Sequence, residues 1–151
     1  MVAALAVMLA LCAGCGGGGG GEPLTKAQFT KQANQICASS GREIVKKLST
    51  FVKEQPNEGA GQSHDELFAT AMKTVLLPLT EAKAEQIEAL APPTGDEKQI
   101  EAYLASLHTG INSIRQQESS SFAALNDSLV GFEKAIAPSR KLAVAYGMKE
   151  C

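Results

Sequence analysis

The sequence predicts an all-α protein, an up-down-up-down four-helix bundle preceded by an apolar N-terminal segment and a glycine-rich spacer. Three observations carry that expectation. Capping-box sequences open three runs, apolar residues within the runs recur at steps of three and four, and no segment sustains strand-type alternation. The 151 residues fit one ordinary domain with a short appended segment, and 44% hydrophobic content is enough to build a core. Short connections make neighbouring helices antiparallel.

The first helix opens at Thr25-Lys26-Ala27-Gln28, where the Thr and Gln side chains can each satisfy the other's backbone N–H. Leu24 and Phe29 stand at the hydrophobic-staple positions, and Phe29, Ala33, Ile36, Ile44, Leu48, Phe51 and Val52 supply the apolar face. The run stops before Pro56, and a polar, Gly-rich loop follows to Gln62. The second helix opens at Ser63-His64-Asp65-Glu66, carries Leu67, Ala71, Val75, Leu79, Ala82 and Leu90, and ends at Pro92-Pro93. Pro78 lies inside it and predicts a kink, because its ring removes a donor and crowds the preceding turn. The third opens at Thr94-Gly95-Asp96-Glu97 and carries Ile100, Leu104, Leu107, Ile111 and Ile114 as a narrow seam. Its end falls at Ser119–Ser121 or at Asn126-Asp127-Ser128; the second makes it about as long as the first two helices. The fourth then holds Leu129, Phe132, Ile136, Leu142 and Tyr146, is interrupted by Pro138, and closes on Gly147 as a left-handed cap.

Every residue from Val2 to Ala13 is apolar, and the first charge in the chain is Glu22. That stretch is short of the ~20 residues needed to span a bilayer, but it matches the apolar region of a secretory signal. Ala13 and Gly14 follow as small residues, and then Cys15. This arrangement resembles the signal of bacterial lipoproteins, although Cys12 stands where Leu is usual and no Lys or Arg precedes the apolar run. The resemblance implies a signal peptide over residues 1–14, cleavage between Gly14 and Cys15, and a diacylglyceryl group on Cys15. It also implies attachment to the extracytoplasmic side of the cell membrane, made durable by two acyl chains. Residues 15–24 are then the tether and 25–151 the bundle. Gly16 to Gly21 make the tether a flexible coil with an end-to-end distance of roughly 15–18 Å.

With Cys15 assigned to lipid, Cys37 and Cys151 remain, and in an exported domain two thiols allow a single disulfide. Bundle geometry permits it. A fourth helix starting opposite Glu54 and running eighteen residues descends about 27 Å, which brings its end level with residue 36 of the first helix. The alternative is a buried thiol at Cys37 and a frayed terminus at Cys151. Ile36-Cys37, Tyr146-Gly147 and Cys151 together resemble small exported helical proteins of actinobacteria over residues 25–151. That resemblance implies no particular activity.

Chemistry-bearing patterns are scarce. A net charge of −2, no Trp and 5% aromatics argue against nucleic acid. The chain has no Glu-x-x-His pair for a di-iron site, no Cys-x-x-Cys-His for covalent haem and no Gly-x-Ser-x-Gly elbow. His108 with Met72 could ligate haem, but a lone His at the seam edge reads as a boundary residue. His64 reads as an exposed first-turn residue. Two His and two thiols make zinc improbable. Glu81, Glu85 and Glu88, with Lys83, read as a solvated helix face; Lys46-Lys47 and Arg140-Lys141 are short basic pairs of the kind that can touch anionic headgroups. The expectation is a non-enzymatic interaction module with no catalytic residue, metal or cofactor, presented to another envelope protein or a cell-wall component. Its rival is a carrier of a small apolar ligand or haem, bound where Pro78 and Pro138 loosen the packing.

Overall fold

The computed structural model describes residues 22–54, 64–117 and 125–151, and its regular elements are all helical, with no strand among the described residues. Gly14, Cys15, the Gly16–Gly21 spacer and Ser63 of the second capping box lie outside the described residues. The elements are α1 (Lys26–Glu54), α2 (His64–Ala71), a π-helical turn (Met72–Leu76), α3 (Leu77–Glu88), α4 (Glu97–Gln117) and α5 (Leu125–Tyr146). They form a helical bundle. α1 packs on α3 and the π turn, α3 on α4, and α4 on α5 over the most extensive contact.

α1 starts where its capping box puts it. The Gln28 N–H donates to Thr25 Oγ1 at 3.2 Å, and the Thr25 N–H donates to Gln28 Oε1 at 2.9 Å. Phe29, Ala33 and Cys37 are buried, whereas Ile36, Ile44, Leu48 and Phe51 are half-buried and Val52 is exposed. The core of α1 is therefore concentrated in its first three turns.

The kink expected at Pro78 takes the form of the π turn just before it. The Leu77 N–H reaches back five residues to the Met72 carbonyl, so this turn holds one residue more than an α-turn. The wider turn makes room where a proline ring presses on the carbonyl four residues earlier. It also advances the buried face by one position. Before it, Ala71, Met72 and Val75 are buried; after it, Leu77, Thr80, Ala84 and Ile87 are, in place of the expected Leu79 and Ala82. Thr80 is accommodated because its hydroxyl donates to the Leu76 carbonyl at 2.7 Å.

The third start is displaced by two residues. Gly95 has φ +90°, which a helical N1 residue cannot adopt, so Thr94 does not cap the helix. Asp96 precedes the first helical residue, its carbonyl accepting from the Gln99 and Ile100 N–H groups, while Glu97 Oε2 accepts from the Gly95 N–H at 2.8 Å. α4 buries Ile100, Tyr103, Leu107, Ile111 and Ile114, the expected seam with Tyr103 in place of half-buried Leu104.

α5 departs from expectation in three ways. Asn126-Asp127-Ser128 belongs to its first turn instead of forming the break, a position where an acidic residue is favoured by the helix dipole. The other expected break, Ser119–Ser121, lies outside the described residues. The helix also continues through Pro138, which is exposed together with Lys134, so water can satisfy the carbonyl that the ring leaves unpaired. Finally, Leu142 is 40% exposed, and small Ser139 and Ala143 face inward with Tyr146. The side chains of Leu129 and Phe132 lie outside the described residues.

Gly110 marks a close approach of α4 to the middle of α5. A Cβ placed on it would lie 2.7 Å from the Ala135 carbonyl oxygen, so the two helices meet backbone to backbone there. Gly110→Ala is expected to lower stability by about 1–3 kcal/mol, despite alanine's better helix propensity, because backbone rather than a flexible side chain must move. Urea denaturation of the variant beside the parent checks this.

Candidate functional site

A cluster of mutually bonded polar side chains lies where the starts of α1 and α4 meet the end of α5. The α1 cap places Lys26 in the first turn and Phe29 in the core. The Gly95 turn delivers Asp96, and α5 ends on Tyr146. Tyr146 Oη donates to Asp96 Oδ2 at 2.8 Å, Lys26 Nζ lies 3.8 Å from the same oxygen, and Gln99 Nε2 donates to Asp96 Oδ1 at 3.3 Å. The Lys26 ammonium sits 4.2 Å from the Tyr146 ring centroid, and Phe29 meets that ring edge-on at 6.0 Å. Burial, then the hydrogen bond and charge of Asp96, push the Tyr146 hydroxyl well above its ordinary range. It remains a protonated donor at neutral pH, as the bond to Asp96 requires.

Next to this cluster the chain turns back. Gly147, at φ +108°, donates to the Val144 carbonyl, and the Met148 N–H donates to the Ala143 carbonyl at 2.9 Å, a Schellman closure that sends Met148 into the core. The tail then runs along α1. Asn34 Nδ2 donates to the Gly147 carbonyl at 3.3 Å, and the Glu150 N–H donates to Asn34 Oδ1 at 2.9 Å. Cys151 is joined to Cys37, with Cα atoms 5.1 Å apart and a sequence separation of 114. Beyond the bridge an open groove of about 460 Å³ continues along α1, lined by Cys37, Ala38, Gly41, Arg42, Val45 and Glu150.

The residues weighed for catalysis or ligation go elsewhere. His108 Nε2 lies 2.6 Å from Glu88 Oε1, and Arg115 pairs with Glu81, so two of the three glutamates in the series tie α3 to α4. Met72 is buried in the π turn. Burial, then the nearby Arg140 charge, hold the Lys83 ammonium below its usual pKa range. Among the described residues no group of three His, Cys, Asp or Glu side chains could hold a metal, and no helix is long and apolar enough to cross a membrane. Asp96 and Asn34, which organise this end of the molecule, are not singled out by sequence. Asp96 sits in the third capping window, whereas Asn34 carries no signal beyond being polar beside a core stripe. No family model, curated protein or solved structure matches the chain.

Two outcomes follow from this geometry. Burial pushes the Tyr103 hydroxyl up to about 12, and an unfolded tyrosine ionises near ~10. The folded state therefore keeps protons that the unfolded state releases. The resulting stability is fully present below ~10 and is lost as pH rises through the folded value. Tyrosinate absorbance should rise only near pH 12 in the native protein, together with loss of helical circular dichroism, but near ~10 in denaturant. Separately, Cys151→Ala should cost about 2–5 kcal/mol in denaturant unfolding, and adding Cys37→Ala should cost little more, because one bond is already lost.

Proposed function

We propose that the protein is a lipid-anchored, non-enzymatic binding module of the bacterial cell envelope. Cys15 carries the acyl chains on the extracytoplasmic side of the membrane, and the bundle recognises another envelope protein or a cell-wall component. In this reading the helices run up-down-up-down, with α2, the π turn and α3 acting as one rod, and the domain works without a cofactor. The observation that carries it is the Cys37–Cys151 bond, because such bonds persist in oxidising, exported compartments. The Ala13-Gly14-Cys15 sequence supports the anchor. A disulfide-closed scaffold whose Tyr146–Asp96–Lys26 cluster clamps its own termini supports recognition.

Growth of a producing bacterium with radiolabelled palmitate tests the anchor. The label should enter the protein and vanish in Cys15→Ser, and Cys37→Ser should keep it. An unlabelled parent chain overturns the reading.

A further inference from the structure

α1 segregates its charges. At 100° per residue, Lys31, Ala38, Arg42, Val45, Lys46, Ser49, Val52 and Lys53 fall within an arc of about 120°. The helix's acidic residues, Glu43 and Glu54, lie outside that arc. The four cations are exposed, and none is in an ion pair among the described residues, whereas Lys26 and Lys47 on other faces are paired with Asp96 and Glu43. Val45 and Val52, seven residues apart on the same face, are each 68% exposed. On α1 itself this arc carries cations alone; it runs about 33 Å from Lys31 to Lys53, on a chain whose net charge is −2, and Glu150 of the tail borders it at the groove beside Arg42 and Val45. The arc therefore does not follow from overall basicity. The two exposed valines sit at its edge, and Val45 also lines the groove that starts at the disulfide.

We propose that this face of α1 lies on an anionic phospholipid bilayer, its cations at the headgroups and Val45 and Val52 in the interface. Exposed apolar groups flanked by Lys and Arg, with the acidic residues of α1 outside the arc, fit a negative surface that also has an apolar layer beneath it. The contact needs no acyl chain. Where Cys15 is lipidated, it lays α1 flat against the membrane and turns the α4–α5 side outward.

The test uses the full chain carrying Cys15→Ser, so that its outcome is independent of acylation. It is sedimented with phosphatidylcholine vesicles and with vesicles in which about one third of the lipid is phosphatidylglycerol. Partition onto the anionic vesicles should be at least about tenfold stronger, and the preference should disappear in about 0.5 M salt. The triple change Arg42→Ser, Lys46→Ser and Lys53→Ser should return binding to the neutral-lipid level. Val45→Ser with Val52→Ser should weaken it with charge unchanged. Lys134→Ser with Lys141→Ser, on exposed positions of α5, should leave it unaltered; circular dichroism checks that each variant is folded. Equal partition onto both vesicle types, or equal loss in the α5 variant, overturns the proposal and returns the face to an acidic protein partner or to plain solvation.

Discussion

Much of the molecule depends on how the last residues return to α1. Gly147 alone of the tail adopts a left-handed backbone, and that reversal directs Met148 inward and Cys151 to Cys37. Asn34 holds the intervening strand of chain by both its amide donor and its amide acceptor. The same end of α5 presents Tyr146 to Asp96, Lys26 and Phe29. A bulky residue at 147 would strain the turn and loosen all of these contacts together, because each presupposes the position of α5's last turn.

A second constraint is how closely the helices approach. Gly110 brings α4 against the Ala135 carbonyl, and α5 answers with Ser139 and Ala143 instead of large side chains. The opposite device operates between α2 and α3. There the chain takes an extra residue in one turn, and the buried face steps from the Val75 line to Thr80, Ala84 and Ile87. Glu88 with His108 and Glu81 with Arg115 then fasten α3 to α4 along their exposed margin.

The helical class, the α1 cap and the Gly147 cap were legible because each rests on a local rule linking neighbours three to five residues apart. The seam of α4 was legible for the same reason. What failed was set by partners distant in sequence. A period of 3.6 carried through Pro78 points to Leu79 and Ala82, since nothing local announces an inserted residue. Hydrophobicity points to Leu142, but the packing of α5 turns Ser139 and Ala143 inward instead. Thr94-Gly95-Asp96-Glu97 matches a capping box by composition, yet the glycine that fits the pattern is the residue whose backbone breaks it. Asp96 acquires its role only when Tyr146 and Lys26 arrive from the two ends of the domain.

The bridge also divides the molecule mechanically. Of the described residues, only those before Cys37 lie outside the covalent ring that it closes. A pull applied between Glu22 and any point within the ring first loads the opening turns of α1, from Lys26 to Ile36. Once those turns yield, sulfur bears the tension and limits how far the remainder can be drawn out. Unravelling that starts at Glu22 therefore meets a covalent limit at Cys37.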